Sequence, residues 1–261
     1  MHRCPRLPAL VLPWLLATAG FALPAAAAAA APQPARQDAA PEPTRVLVFT
    51  ATRGWRHDSI PDAVTTLRAL VAADGFQMTH SEDSTDFTDG NLRNVRAVVF
   101  ANTTLDVLDA AQQSALERFV RAGGGFVGIH SAADTEHDWP WYGELVGAWF
   151  ESHPPGLQTT DVRFEPGHRG PAPDNWRVSD EIYSFTRNPR PFVDVIATVD
   201  AGMFDGGTMG ADHPIAWCHA RFGGRAWYTA LGHARAMYAD PRFRAHLARG
   251  LRYTTGRSDA C

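Results

Sequence analysis

Short apolar runs alternate with amphipathic segments along the first half of the chain. The apolar runs of strand length cover residues 45–50, 95–101 and 126–129, and residues 76–80 are predicted to be a short strand. Continuous runs of this kind are typical of strands covered on both faces. Residues 60–71 and 108–120 instead repeat apolar side chains at helical spacing. The order strand, helix, strand, strand, helix, strand predicts an α/β fold with a mostly parallel, doubly wound sheet.

Polar residues and glycines mark the ends of the two predicted helices. Ser59 followed by Asp62, and Asp109 followed by Gln112, have the spacing of a capping box at a helix start. Three consecutive glycines beginning at Gly123 end the second helix. We therefore expect both helices to begin at these caps.

The second half of the chain has a less regular pattern. The predicted elements are a helix over 141–149, strands over 159–165 and 192–199, a hairpin of 215–220 with 225–231, and a closing helix over 241–253. A long irregular span separates the first two of these strands. The sequence therefore predicts a single domain over residues 45–256, with a decorated C-terminal half that includes a β-hairpin, and a tail over 257–261.

The first residues have the layout of a secretory signal peptide. Arg3 and Arg6 precede an apolar run, a polyalanine tract follows, and no acidic residue occurs through residue 31. Prolines interrupt the apolar run, which makes it a poor membrane span. We expect residues 1–31 to be removed and residues 32–44 to be a disordered tether. The mature protein is then periplasmic or secreted, with no membrane partner after cleavage.

The composition excludes several classes of function. All 24 basic residues are arginine, which excludes lysine Schiff-base chemistry and a Walker-type phosphate loop, and no nucleotide cofactor is expected. The 28 acidic residues and the lack of basic blocks argue against nucleic acid as a partner. Once Cys4 leaves with the leader, Cys218 and Cys261 remain. We expect them to form no disulfide framework, and Cys218 to be packed rather than reactive.

Three loops that follow predicted strands carry the side chains best suited to catalysis or metal binding. Each presents a histidine at or just beyond a strand end: His57 after the first strand, His130 after the fourth, and His233 after the hairpin. Ligands of open α/β sheets collect at the carboxyl ends of the strands. We therefore predict that these three histidines face one solvent-accessible pocket at the rim of the sheet, beside at least one carboxylate.

Five stretches of the chain are long enough to be distinctive. They are Gly54-Trp-Arg-His-Asp-Ser-Ile-Pro61, Gly123-Gly-Gly-Phe-Val-Gly-Ile-His130, Asp138-Trp-Pro-Trp-Tyr142, Gly206-Gly-Thr-Met-Gly-Ala-Asp-His-Pro-Ile-Ala-Trp217 and Trp227-Tyr-Thr-Ala-Leu-Gly-His233. Together they resemble the ThuA-like family, named for trehalose utilisation, over about residues 45–256. The resemblance implies a flavodoxin-like fold related to class I glutamine amidotransferases. It also implies a role in carbohydrate metabolism, on oxidised (keto) sugars or glycosides.

The related amidotransferases place a nucleophilic cysteine on a sharp turn between a strand and a helix. The matching stretch here is Gly128-Ile-His-Ser-Ala132, with His130 where the thiol would be. Their catalytic histidine corresponds to His233, but Arg235 stands where a carboxylate would orient that ring. Without the nucleophile and the orienting acid, we expect no glutaminase activity. Ser131, one residue beyond the elbow, leaves a serine hydrolase as a minor alternative.

The predicted site residues follow from the chemistry of imidazole. Neutral imidazoles beside a carboxylate suit a divalent metal such as zinc, and they also suit general acid–base work on a sugar. The predicted metal ligands are His57, His130 and His233. The predicted catalytic residues are His130, His233, Asp134 and Glu181. The predicted substrate-binding residues, chosen for flat aromatic faces or guanidinium donors, are Arg53, Trp55, Arg56, Trp139 and Tyr142.

The other histidines carry less information. His213 lies in an Asp-His-Pro turn, where a structural role is at least as well supported as a site role. The histidines interpreted as ordinary surface or structural residues are His80, His153, His168, His219 and His246.

Two functions agree with these features. The first is an exported enzyme that carries out hydrolysis, isomerisation or elimination on a small carbohydrate, a sugar or keto-sugar derivative. The second is a non-catalytic sugar-binding or accessory domain that kept the fold but no reaction. If the three rim histidines share one cavity, the enzyme is favoured; if they point into separate cores, the binding domain is favoured.

Overall fold

The first half of the chain alternates strands and helices as its sequence pattern predicts. The computed structural model describes residues 44–168 and 176–261, so the predicted signal peptide and nearly all of the predicted tether lie outside the described residues. The elements of this half are β1 (Arg45–Phe49), α1 (Ile60–Ala73), β2 (Gln77–Ser81), α2 (Asp89–Leu92), β3 (Val95–Ala101), α3 (Ala110–Arg121) and β4 (Gly125–Ile129). Their bounds lie within two residues of the predicted runs, apart from the short α2, which was not predicted.

The second half adds a shorter helix, seven strands and a closing helix. They are α4 (Pro140–Val146), β5 (Phe150–Ser152), β6 (Gln158–Phe164), β7 (Trp176–Asp180), β8 (Ser184–Phe185), β9 (Asp194–Val199), β10 (Pro214–His219), β11 (Ala226–Thr229) and α5 (Pro241–Thr255). The predicted hairpin and closing helix are confirmed. Strands β5, β7 and β8 lie outside the predicted elements, and β7 occupies part of the span predicted to be irregular.

Nine strands form one mixed sheet, in the order β2-β1-β3-β4-β11-β10-β9-β6-β7. Strands β2, β1, β3, β4 and β11 run parallel to their neighbours, whereas β10, β9, β6 and β7 continue the sheet in antiparallel pairs. Strands β5 and β8 pair separately. The predicted α/β fold with a mostly parallel core is confirmed, and the carboxyl ends of β1, β4 and β11 lie at the same edge.

The closing helix packs directly on the sheet at a glycine. A Cβ atom on Gly250 would lie 2.4 Å from the indole of Trp227, which is buried in β11. Only the absence of a side chain lets α5 approach β11 this closely. On the same helix, Phe243 and Leu247 are buried in the core that the sheet covers. The pairing of α5 with β11 therefore fixes the segment that carries His233, which lies between them.

One of the two predicted capping boxes is present and the other is not. The Asp109 carboxylate accepts from the backbone N–H of Gln112 at 2.9 Å, and the Gln112 side chain accepts from the N–H of Asp109 at 2.8 Å. The Ser59 hydroxyl makes no cap; instead it donates to the carbonyl of Gly232 at 3.0 Å. The predicted cap at Ser59 is therefore wrong, because this side chain ties the start of α1 to the loop carrying His233.

The predicted helix over 141–149 is shorter than expected. It ends at Val146 because Gly147 follows with φ of +101°, a conformation that stops a helix. The indole nitrogen of Trp217 donates to the carbonyl of Val146 at 2.7 Å and so uses one of the free helix-end groups.

The two remaining cysteines form a single disulfide, a bond that the sequence analysis did not predict. Cys218 in β10 and Cys261 at the chain end have Cα atoms 6.4 Å apart, within the range for a disulfide. The side chains of both residues are buried. Packing of Cys218 is as expected, but the residues 257–261 are fastened to the sheet rather than forming a free tail.

Candidate functional site

The histidine on the sharp turn after β4 has a backbone conformation that few residues adopt. His130 follows Ile129 directly and has φ of +51°, in the left-handed region. Its backbone carbonyl accepts from the hydroxyl of Tyr228 at 2.8 Å, and its Nδ1 lies 2.7 Å from the carbonyl of Ala230. The neighbouring strand β11 therefore fixes both the turn and the ring.

The three histidines predicted to share a pocket lie in contact with one another. The ring centroids of His57 and His130 are 4.7 Å apart, those of His57 and His233 are 5.1 Å apart, and those of His130 and His233 are 5.3 Å apart. They come from the segments that follow β1, β4 and β11. The strand-end argument thus locates this cluster correctly.

A carboxylate from the end of β7 completes the cluster. Glu181 Oε2 lies 3.4 Å from His130 Nε2 and 3.1 Å from His233 Nδ1. One nitrogen from each of the three rings and one oxygen of Glu181 all lie within 4.8 Å of one another. We call these four residues, His57, His130, Glu181 and His233, the His/Glu cluster.

The hydrogen bonds around the cluster leave ring nitrogens aimed inward without a partner. Because Nδ1 of His130 faces a carbonyl oxygen, that nitrogen carries the proton and Nε2 presents a lone pair. Among the described residues, neither His130 Nε2 nor His233 Nδ1 has a hydrogen-bond partner, although both are buried. Lone pairs that converge with a carboxylate repel one another unless a proton or a cation lies between them. The donor set of three imidazoles and one carboxylate fits a divalent cation such as zinc.

The electrostatics of the cluster favour ligands in their metal-binding forms. Burial, reinforced by the charges of His130 and His233, lowers the pKa of His57 to about 3, so this imidazole is neutral at neutral pH. Burial alone would raise the pKa of Glu181, but its close contacts with the His130 and His233 rings hold it well below its usual range. The contact with the Glu181 carboxylate raises the pKa of His233 despite burial, so a proton on His233 competes with a cation.

Three members of the His/Glu cluster, His57, Glu181 and His233, line a cavity of about 450 Å³, and His130 is buried behind them. The residues that line it are Trp55, His57, Thr104, Asp134, Phe150, His153, Glu181, Tyr183 and His233. Trp55 at its mouth is 72 % exposed, while Tyr183 packs against the His130 ring with centroids 4.2 Å apart. The cavity therefore combines flat aromatic surfaces with titratable groups beneath them.

Backbone contacts make the loops around the cavity continuous with one another. Thr52 bridges to Thr104, and Leu105 bridges to Thr135, so the segments after β1, β3 and β4 extend the sheet beyond its strands. The hydroxyl of Thr104 also donates to the carbonyl of Trp55 at 3.2 Å. Trp55 is thereby held at the mouth of the cavity although its side chain is exposed.

A second carboxylate from β7 holds the loop that carries His233. The two Asp180 oxygens accept from the backbone N–H groups of Gly232 at 2.6 Å and Ala234 at 2.7 Å. Both contacts flank His233 and involve a fully buried side chain. Asp180 and Glu181 therefore act on His233 from its backbone and from its ring, respectively.

Several predicted site residues line the cavity and several do not. Trp55, Asp134 and Glu181 line it with the histidines, and Asp134 also pairs with His137 at 2.9 Å. The exposed Arg53 is not among its lining residues. Arg56 instead forms a bidentate pair with Glu82, at 3.1 and 2.7 Å.

The predictions for two aromatic residues are corrected. Tyr142 is fully buried, and its hydroxyl donates to the carbonyl of Ala132 at 2.7 Å, so it is a core residue that no ligand in the cavity reaches. Trp139 stacks on Trp141 with ring centroids 5.0 Å apart and packs against the core. The Asp-Trp-Pro-Trp-Tyr stretch covers the sheet beside the cavity and does not line it.

The structure also changes the interpretation of individual histidines. His153, interpreted as ordinary, lines the cavity with its Nδ1 at 3.3 Å from Glu181 Oε1. His130 is completely buried, contrary to the expectation that it faces a solvent-accessible pocket at the rim of the sheet. His219 bonds the carbonyl of Leu145 and His246 is enclosed in the core, which confirms structural roles for both.

Phe150, His153 and Tyr183 line the cavity but were absent from the predicted site. All three come from the span between α4 and β9, where short strands carry the chain past the mouth of the cavity. The only sequence signal was the position of Tyr183 two residues after Glu181.

Comparisons with known proteins agree with this architecture. The family model for ThuA, described as trehalose utilisation, matches residues 45–254. A ThuA-like protein from Bacteroides uniformis has a TM-score of 0.69 and 21 % identity, covering 84 % of this chain and 94 % of that one. A ThuA-like protein from Parabacteroides merdae has the same TM-score and 19 % identity, covering 83 % and 91 %.

A more distant similarity is confined to the fold. The β-galactosidase of Bacillus circulans sp. alkalophilus matches with a TM-score of 0.52 and 14 % identity, over 82 % of this chain but 31 % of that enzyme. This chain therefore corresponds to about a third of the β-galactosidase. No curated protein matches the sequence.

Proposed function

We propose an enzymatic role for this chain, which belongs to the ThuA family of trehalose utilisation: it acts on a sugar or keto-sugar derivative bound above the His/Glu cluster. The reaction classes that suit the site are hydrolysis, isomerisation and elimination next to a carbonyl. The family places the chain in carbohydrate metabolism, and the substrate and reaction are our proposal. We also propose that the protein is exported, on the strength of its leader sequence.

One observation carries the proposal: buried imidazole nitrogens without partners converge with Glu181 at the base of an open cavity. His219, by contrast, uses both ring nitrogens in hydrogen bonds, and the unpartnered Nε2 of His246 belongs to a ring packed among aromatic side chains. We propose that His57, His130, His233 and Glu181 hold a divalent cation such as zinc. When bound, such a cation supplies a Lewis acid that polarises a sugar oxygen.

The protein's own side chains suit binding and proton transfer at a sugar. Trp55, Phe150 and Tyr183 offer flat apolar surfaces to the apolar faces of a sugar ring. His153 Nδ1 and the carboxylate of Asp134 reach the cavity and can exchange protons with hydroxyl groups there. His153 Nδ1 lies 3.3 Å from Glu181 Oε1 and 2.9 Å from the carbonyl oxygen of Pro154, so both acceptors orient the ring.

The same geometry supports the absence of glutaminase or serine-hydrolase chemistry. His130 occupies the sharp turn after β4, so no thiol stands at the elbow. The neighbouring Ser131 is fully buried, and its hydroxyl lies 3.4 Å from Nδ1 of His57. A hydroxyl in that position orients the His57 ring for the cluster, and it has no exposure from which to attack a substrate.

The test is to replace His130 with asparagine, which tolerates a positive φ, and to measure bound metal and turnover together. The purified protein should contain one divalent cation per chain by elemental analysis. His130→Asn should bind the cation at least tenfold more weakly, because replacing even a residue that only orients a metal ligand weakens binding by roughly 10–100-fold. Turnover of a panel of glycosides and their keto derivatives should fall with it.

The matched control is His219→Asn, which removes a buried histidine outside the cluster. It should keep both the cation and the turnover. Equal cation content in wild-type protein and His130→Asn would contradict the metal site. Sugar binding without turnover by the metal-loaded wild type would instead support the alternative, a non-catalytic binding domain.

A further inference from the structure

A second group of potential ligands lies away from the His/Glu cluster, around the end of the chain. A ring nitrogen of His168, a carboxylate oxygen of Asp194 and the sulfur of Cys261 all lie within 4.8 Å of one another. His168 follows β6, Asp194 begins β9, and Cys261 is bonded to Cys218 in β10. All four residues line the same surface cavity of about 740 Å³.

The state of the two sulfur atoms decides what this group can bind. In the disulfide each sulfur is uncharged and covalently bonded to the other sulfur, so it is a weak metal ligand. Reduction releases two thiols, whose thiolates are strong ligands for zinc and similar cations. The side chains of Cys218 and Cys261 are both buried beside His168, whose side chain is 13 % exposed.

We propose that Cys218, Cys261, His168 and Asp194 bind a thiophilic divalent cation such as zinc when the disulfide is reduced. Two sulfurs, one nitrogen and one oxygen form a tetrahedral donor set that zinc accepts. The disulfide and the bound cation are then mutually exclusive ways of fastening the chain end to the sheet.

The spacing of the two cysteines suits both states. Their Cα atoms are 6.4 Å apart. Two sulfurs on one tetrahedral zinc lie roughly 3.8 Å apart, given Zn–S bonds of about 2.3 Å. Rotation of the two side chains reaches that separation without moving β10. The ring of His168 lies with Nε2 at 3.3 Å from Asp194 Oδ1, so the nitrogen and oxygen ligands already face each other.

The other polar residues of this cavity are engaged elsewhere, which limits the ligand set to these four. His219 Nε2 lies 2.8 Å from the carbonyl of Leu145, and its Nδ1 accepts from the backbone N–H of Arg221. The carboxylate of Asp259 pairs with Arg225. None of these contacts involves the four proposed ligands.

The redox step balances with a thiol reductant. Two equivalents of a small thiol, or one dithiol, supply two electrons and two protons; the Cys218–Cys261 bond breaks and the reductant becomes a disulfide. Binding of the cation then displaces a proton from each cysteine thiol. In the reverse direction, the disulfide form of the reductant accepts the two electrons by thiol–disulfide exchange, the Cys218–Cys261 bond forms again and the cation is released.

Cobalt(II) distinguishes this site from the His/Glu cluster, because only a thiolate ligand gives sulfur-to-cobalt charge transfer in the near ultraviolet. The purified protein is titrated with Co²⁺ before and after reduction with a phosphine, with thiols counted by a colorimetric reagent. We expect no charge-transfer band in the oxidised protein. In the reduced protein we expect a band that saturates at one thiolate-bound Co²⁺ per chain and that Zn²⁺ abolishes.

Single substitutions identify the ligands. His168→Ala and Asp194→Asn should each weaken Co²⁺ binding in the reduced protein by roughly tenfold or more. The control His137→Ala removes an exposed histidine far along the chain and should leave the titration unchanged. Cys218→Ser lacks the disulfide without any reductant and keeps the other three ligands, so it should show a weaker band.

Two results would overturn the proposal. The first is the absence of a charge-transfer band both in reduced protein with two titratable thiols and in Cys218→Ser. The second is a band of unchanged affinity in His168→Ala and Asp194→Asn, which would show that two thiolates alone capture the ion. Circular dichroism of each sample confirms that the fold is retained.

Discussion

At the residue scale, the environment of each histidine determines whether its ring can act as a ligand. His130 uses one nitrogen on the carbonyl of Ala230 and turns the other toward Glu181. His246 is buried as deeply, but aromatic rings surround it, with Trp227 at 4.7 Å between centroids. The first environment orients a lone pair toward charged groups, while the second only excludes water. Both residues are buried histidines, and only the polar groups around His130 make its ring a potential ligand.

The buried His246 gives a prediction about acid stability. Burial lowers its pKa to about 3, so the folded protein keeps it neutral while the unfolded chain takes up a proton below about pH 6.5. Stability is therefore lost as pH falls from about 6.5 toward 3. On lowering the pH from 7 to 5, protonation of His246 in the unfolded chain should reduce the unfolding free energy of the wild type by about 2 kcal/mol. The variant His246→Leu should lack this contribution.

Urea unfolding of both proteins at the two pH values measures this difference. The control Phe87→Leu removes a buried ring that does not titrate, and its effect on stability should be the same at both pH values. An equal pH dependence in wild type and His246→Leu would show that the residue does not carry the acid sensitivity.

At the element scale, the short strand β7 contributes more to the site than its length suggests. It ends in Asp180 and is followed by Glu181, so it delivers one carboxylate to the backbone around His233 and another to the ring itself. Its side chains alternate between buried and exposed, with Trp176 and Val178 facing the core. The edge of the sheet is thereby connected to the cluster.

Replacing Asp180 tests this positioning role. Asp180→Asn offers one acceptor where Gly232 and Ala234 need two, so a buried N–H is left without a partner. We expect a loss of about 1–3 kcal/mol in unfolding free energy and roughly 10–100-fold weaker cation binding at the His/Glu cluster. Calorimetric titration and urea unfolding give the two numbers.

The control is Asp200→Asn, since Asp200 accepts from the backbone N–H of Gly202 in a turn away from the cluster. It should lose stability without losing cation affinity. If Asp180→Asn binds the cation as tightly as wild type, the carboxylate stabilises the loop without positioning His233.

The elements that the sequence predicts correctly are those with a continuous signal. Strands β1 and β3 are buried and apolar apart from Arg45 and Arg96, and α3 carries its own capping box. Strand β7 has five residues, two of them exposed and one a buried aspartate, so its sequence has no continuous apolar run from which the strand could be predicted. Its aspartate is tolerated in the core only because a loop distant in sequence supplies two N–H donors.

The residues of the candidate site likewise divide into those that the sequence pattern predicts and those that it does not. Strand ends placed His57, His130 and His233 together, because the carboxyl ends of parallel strands meet at one edge. His153 and Tyr183 come from short segments of the second half, whose positions depend on tertiary packing. The misassigned Tyr142 shows the converse: its proximity in sequence to the second loop does not bring it into the cavity.

At the scale of the whole molecule, the disulfide connects the end of the chain to the middle of the sheet. Cys261 follows the closing helix α5, and Cys218 lies in β10, 43 residues earlier. The covalent bond therefore encloses the hairpin, the loop of His233 and α5 in one ring of chain. These elements position His233, one of the three histidines of the His/Glu cluster.

Removing the disulfide should destabilise the protein without abolishing the fold. Closing a loop of this length restricts the unfolded chain by about 4 kcal/mol, so Cys218→Ser with Cys261→Ser should lower the unfolding free energy by roughly 2–4 kcal/mol. Urea unfolding of this variant, beside chemically reduced wild type without added metal, measures it. Unchanged stability in both samples would show that the bond adds nothing to the fold.

The ligands of the His/Glu cluster are spread from residue 57 to residue 233, across nearly the whole described chain. No fragment shorter than residues 57–233 contains all four, so an ion that needs the whole cluster would bind only after these distant segments have come together. By mass action, a thousandfold excess over the dissociation constant would stabilise the native state by about 4 kcal/mol. Metal supply would then act as a check on completed folding, and a metal-starved cell would hold a population of this protein that proteases can reach.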